Sequence, residues 1–199
     1  MENDNNSDKN LLDSYLNIQG STTQFLNKIA KAPVQVSILE QRLCEQFLYR
    51  ESLLYTQNND KPILYARCSF YREKLSHAQL HALQHTNTPI GVILGIGDII
   101  KQDHSITRTN SSLLKAKLGV TDECNERSFD LYYQDKLVAS LVETVSKQSL
   151  SRLSIKNVAN NCLSDIKKPT KPSNSQSPMI EIVGESNAIS NLEPMQVSQ

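Results

Sequence analysis

The sequence predicts an α+β fold, an antiparallel β-sheet with flanking helices enclosing an internal ligand pocket. Three observations carry the fold class. Residues 47–56 and 62–70 are two apolar, strand-like runs joined by Gln57-Asn58-Asn59-Asp60-Lys61, a hairpin signal. Residues 127–133 and 137–145 repeat the pattern around Gln134-Asp135. Helical segments are few and do not alternate with strands in the rhythm of parallel βαβ units.

In chain order, residues 11–16 and 21–31 read as short helices, the second capped by Ser21 after Gly20. Residues 34–39 alternate as a strand. The first hairpin follows, and residues 76–85 then read as a helix. Residues 89–100 form an apolar run with three glycines, entered through Pro89, and a helix is expected there. Residues 105–109 begin another strand, with a partner expected near 113–118. The second hairpin comes next, and residues 151–163 read as a closing helix. Residues 1–10 are polar. From 166 the chain turns to Pro, Ser, Asn and Lys, which build no core. The expected organisation is a disordered 1–10, a domain over 11–165, and a disordered tail over 166–199 with a short apolar patch at 179–183.

The 199 residues carry a formal net charge of 0, which gives no basic footprint for nucleic acid. No apolar run is long enough to span a bilayer. The polar start lacks a secretory or transit pattern. The four cysteines are scattered without a CxxC pair, so neither a disulfide framework nor a zinc site is expected, and Cys44 and Cys68 read as small apolar residues.

Two charges interrupt strands that otherwise look buried. Arg50 lies within Phe47-Leu48-Tyr49-Arg50-Glu51-Ser52-Leu53-Leu54, and Glu143 within Leu137 to Val145. A buried charge is costly unless it is paired or given a ligand. The planar guanidinium of an arginine can bind a carboxylate bidentately. Period two puts Glu143 on a face with Leu137, Ala139, Leu141 and Val145. The parity of Arg50 is open, since both faces of its strand are largely apolar. A structural ion pair, or a strand edge reaching solvent, explains both charges as well.

Other candidates are weaker. His77, His81 and His85 are spaced i, i+4, i+8 on one helix, but the apolar residues lie on another face, which points to a solvated stripe rather than a metal site. Gly91, Gly95 and Gly97 lack the order of a phosphate-binding loop. Arg108 and Arg127 could offer a second cationic contact to a dianionic ligand or simply end strands. No nucleophile elbow is present.

The succession of segments resembles the chorismate pyruvate-lyase family. The matching pieces are Gly20-Ser21-Thr22-Thr23, Pro33-Val34-Gln35-Val36, Tyr49-Arg50-Glu51-Ser52-Leu53-Leu54 and Lys61-Pro62-Ile63-Leu64-Tyr65-Ala66-Arg67. They continue with Thr88-Pro89-Ile90-Gly91, Ser105-Ile106-Thr107-Arg108, Arg127-Ser128 and Leu141-Val142-Glu143. The short, Trp-free form is similar to a branch found in cyanobacteria and on red-algal plastid genomes, which implies a plastid location. The resemblance implies conversion of chorismate to 4-hydroxybenzoate and pyruvate for quinone synthesis, without metal or organic cofactor. It implies that Arg50 holds the ligand carboxylate and that Glu143 is the active-site glutamate. Thr22, Ile90 with Gly91, Arg108 and Arg127 fall at ligand-contact positions. Thr22 departs from the methionine of the proteobacterial enzymes. The expected partner is a small carboxylate. The alternative is a non-catalytic binding module for a small aromatic or carboxylate ligand.

Overall fold

A computed structural model describes residues 11–57, 59–95 and 99–153. Six antiparallel strands form one sheet: β1 (Val34–Leu43), β2 (Phe47–Thr56), β3 (Leu64–Tyr71), β4 (Ile99–Thr109), β5 (Cys124–Tyr133) and β6 (Lys136–Ser146). Their order across the sheet is β1-β2-β3-β6-β5-β4, so β6 closes the gap between an N-terminal and a C-terminal set of strands. The helices are α1 (11–16), α2 (Thr22–Ala30), α3 (His77–His85), α4 (Ile90–Leu94), α5 (Ser112–Leu118) and α6, described from 147 to 153.

Local chemistry explains most boundaries. Ser21 caps α2 by accepting from the Gln24 amide, and Ser76 with Gln79 forms a reciprocal capping box on α3. The β5–β6 hairpin turns on Gln134 and Asp135, both at positive φ (50° and 61°), which matches the twist of the flanking strands.

Two expectations fail. The segment 113–118 is helical, not a strand, and β4 pairs with β5 instead. Ser111 caps this helix at the Leu114 amide, Gly119 ends it in the left-handed region, and Leu114 and Leu118 share one face. The helix expected over 89–100 stops at Leu94, because Gly95 takes φ 87°, and Ile99 and Ile100 already belong to β4. The closing helix starts at 147, earlier than expected, and its continuation beyond 153 lies outside the described residues, as do 1–10 and 166–199.

Register places one covered face across the sheet. Arg50 lies opposite Cys68, Cys68 opposite Leu141, and Leu141 opposite Phe129. One step along, Ser52 faces Ala66, Ala66 faces Glu143, and Glu143 faces Arg127. Two apolar clusters cover the ends of this face. One joins Leu12, Tyr15 and Leu26 of α1 and α2, with Leu150 and Leu153 of α6, to Leu54, Leu64 and Val145. The other joins Leu83 and Leu94 of α3 and α4 to Leu48, Phe70, Phe129, Leu131 and Leu141. Between them runs a buried polar band that contains Arg50, Ser52, Arg127 and Glu143. The opposite face is covered in part by α5, whose Leu114 and Leu118 pack on Leu53, Tyr65 and Cys124.

Candidate ligand pocket

The parity of Arg50 is settled by its neighbours. Leu48, Arg50, Ser52 and Leu54 point to the covered face and are all buried. The guanidinium is 1% exposed, and among the described residues none of Nε, Nη1 or Nη2 has a hydrogen-bond partner. Burial lowers its pKa from the ordinary arginine value, with Cys68 acting weakly against that shift. A small cavity of about 40 Å³ lies against it, walled by Thr23, Val36, Ser52, Leu54, Pro89 and Ile90.

Glu143 lies in an adjoining lobe of about 100 Å³, with Thr22, Gly91, Lys101, Phe129 and Leu141 in its wall. Thr23 and Ile90 belong to the walls of both lobes, so the two lobes adjoin at these residues, with Arg50 in the wall of one and Glu143 in the wall of the other. Glu143 is 6% exposed and is satisfied in place. Its Oε2 accepts from the Tyr15 hydroxyl at 2.8 Å and from Thr22 Oγ1 at 3.0 Å. Thr22 Oγ1 accepts in turn from Lys101 Nζ at 2.8 Å. The Tyr15 phenol is held well above its ordinary pKa, first by burial and then by the Glu143 carboxylate and their hydrogen bond, against a smaller lowering by Arg127. Tyr15 is therefore a fixed donor.

The lobes are shaped by two helix starts. The segment 19–23 leads into α2, and Pro89, Ile90 and Gly91 open α4. Gly91 lies beside the Ser21 cap of α2, where a Cβ would meet Ser21 Oγ at 3.4 Å, an ordinary contact. Of the residues singled out in the sequence, Arg50, Glu143, Thr22, Ile90 and Gly91 converge on this region.

Two others do not. Arg127 is fully buried but holds the chain after α1, donating to the carbonyls of Tyr15 and Ile18. A cation is well placed at such a helix C-terminus. Arg108 is exposed on the edge strand β4 and borders a separate groove with Asp122 and Glu123. Leu12 of α1 and Lys147 of α6 line the same groove.

Sequence reasoning missed Lys101 and Tyr15. Lys101 follows directly on the helix expected over 89–100, in a stretch to which no element was assigned. In β4 it pairs with Leu131 and so points to the covered face. His77, His81 and His85 are exposed, as a solvated stripe predicts. Cys68 is buried in the apolar cluster as expected, but Cys44 is exposed, because it lies in the turn between β1 and β2.

No protein-family model and no curated protein sequence matches the chain. Solved structures do. The effector domain of PhnF from Mycobacterium smegmatis is similar over 63% of this chain and 88% of its own, at 14% identity and a TM-score of 0.49. A gene product of Staphylococcus aureus is similar over 60% of this chain and 87% of its own, at 10% identity and a TM-score of 0.47. A GntR-family transcriptional regulator from Bacillus cereus is similar over 56% of this chain and 90% of its own, at 12% identity and a TM-score of 0.39. No helix among the described residues is long and apolar enough to cross a membrane.

Proposed function

We propose that this chain binds a small aromatic carboxylate in the internal pocket, with Arg50 as the carboxylate receptor. The observation that carries the reading is the buried guanidinium with no partner among the described residues for any of its three nitrogens. A cation so placed costs free energy in the empty protein, and a carboxylate removes that cost through paired, charge-assisted bonds. Size agrees with a single ring. A cavity of roughly 150 Å³ holds benzene, and the lobes of about 100 and about 40 Å³ approach this once Thr23 and Ile90 give way. Calorimetry with 4-hydroxybenzoate is expected to show binding by the native protein and none by Arg50→Ala. Equal binding by the two proteins removes Arg50 from the role.

A second reading is catalytic, and Glu143 favours it. The reaction is the cleavage of chorismate suggested by the ordered motifs around Arg50 and Glu143. The ring loses one hydrogen as a proton, the ether bond to the ring breaks, and the departing enolpyruvate takes up a proton to become pyruvate. The ring becomes aromatic, so the protein has only to hold the reactive conformer and handle protons. Tyr15 and Thr22 both donate to Glu143 Oε2, which leaves Oε1 as the oxygen for proton transfer. Incubation with chorismate separates the two readings. Pyruvate and 4-hydroxybenzoate formed above the uncatalysed background support chemistry, and binding without product supports a receptor.

A further inference from the structure

The polar band holds a third charge that the carboxylate reading does not use. Lys101 lies in the wall of the same lobe as Glu143, with its ammonium 4.4 Å from the centre of the Phe129 ring and 2.8 Å from Thr22 Oγ1. The order of the strands sets the spacing. Arg50 is on β2, Glu143 on β6 and Lys101 on β4, so Glu143 lies two strands from each cation. At about 4.8 Å between neighbouring strands, the β2 and β4 backbones are about 19 Å apart. Both cations point to the covered face, one on each side of Glu143 in strand order. The sequence of charges across the pocket is positive, negative, positive.

We propose that Lys101 is a specificity-determining residue that receives a second anionic group, so that the pocket selects a ring carrying two carboxylates over a ring carrying one. This rests on the reading of Arg50 as receptor of the first carboxylate. The Thr22 hydroxyl gives Lys101 its aim, because it is donor to Glu143 and acceptor from Lys101 in one chain of hydrogen bonds. Phe129 supports the ammonium from below, so the charge is held at the cavity wall rather than free to swing into solvent. A competing role is that Lys101 only offsets the charge of Glu143, and this makes a different prediction.

The test is calorimetry on the full chain with benzoate, isophthalate and terephthalate, for the native protein, Lys101→Met and Lys101→Arg. Methionine keeps an unbranched apolar stem over Phe129, and thermal melting checks that each variant is folded. The native protein is expected to bind the better of the two dicarboxylates about tenfold tighter than benzoate or more, the worth of one hydrogen bond to a charged group. Lys101→Met is expected to lose this preference, with the dicarboxylate losing about tenfold more affinity than benzoate, and Lys101→Arg to keep most of it. No preference in the native protein overturns the proposal, as does an equal loss of all three ligands in Lys101→Met, which assigns Lys101 to offsetting Glu143. If benzoate and both dicarboxylates all fail to bind the native protein, the reading of Arg50 fails first and the proposal with it.

Discussion

Replacing Arg50 with methionine removes a charge whose burial is uncompensated in the empty protein while keeping an unbranched side chain of similar length. The guanidinium is 1% exposed and its three nitrogens have no partner among the described residues. Removing an unsatisfied buried charge in favour of an apolar side chain is worth about 2–4 kcal/mol of stability. For a domain of this size each kcal/mol moves the midpoint roughly 2–4 °C, so Arg50→Met is expected to melt about 4–16 °C higher than the native protein. The same change removes two charge-assisted hydrogen bonds to a carboxylate, a loss of about 100-fold or more in affinity. Thermal denaturation followed by circular dichroism, with and without saturating 4-hydroxybenzoate, reads both effects. The ligand is expected to raise the native midpoint and leave that of Arg50→Met in place. A variant that melts lower without ligand would falsify the argument, because Arg50 would then be stabilising the empty fold instead of waiting for an anion.

Tyr15→Phe keeps the buried ring and its edge contact with Phe25 but deletes one of the two donors to Glu143 Oε2. Urea denaturation should show a loss of about 1–3 kcal/mol, and an unchanged midpoint would mean that this bond contributes nothing. On the opposite face, burial raises the pKa of Glu51, but hydrogen bonds from Lys117, Tyr49 and Tyr65 outweigh it and bring the pKa down to about 2. Unfolded glutamate titrates near ~4.3, so this stabilisation is complete above that pH and is lost as pH falls through the folded value. Stability measured between pH 5 and about 2 should therefore fall less steeply in Glu51→Gln than in the native protein. Identical slopes would remove Glu51 from the acid response. Leu118→Ala empties a fully buried position between α5 and the sheet, and equilibrium unfolding should register a loss of about 2–5 kcal/mol.

Much of the sheet could be read from the sequence, because alternation and turn residues are local signals. The β2 bounds, both hairpins and the Ser21 cap follow from residues within a few positions of each other. The errors cluster where two readings share one composition. Ile99-Ile100-Lys101 follows an apolar run interrupted by Gly95, Gly97 and Asp98, a break that the reading of one continuous helix over 89–100 passed over. Residues 113–118 also carry a mark, Ser111 before and Gly119 after, with Leu114 and Leu118 four apart. For the site, charges within apolar strands pointed to Arg50 and Glu143. Their placement in adjoining lobes, and the arrival of Lys101 and Tyr15, depend on strand order and on contacts more than 70 positions apart. Arg108 and Arg127 sit in strand-like stretches just as Arg50 does. Only the tertiary fold reveals that one is in solvent and the other is tied to the chain after α1.

The cover over the sheet is made in two halves. Leu12, Tyr15 and Leu26 anchor one, and Leu83 and Leu94 anchor the other, each on its own set of strand residues. The polar band runs beneath their junction, where Thr23 meets the same cavity walls as Ile90 and Ser21 approaches Gly91. Parting the halves there uncovers hydroxyls and charges that water solvates readily, while both apolar clusters stay shut. The entrance to the pocket can thus breathe on a faster timescale than the domain unfolds. Amide exchange near 20–23 and 89–91 is expected to outpace exchange in β3 and β6 by the difference between opening a junction and opening a core.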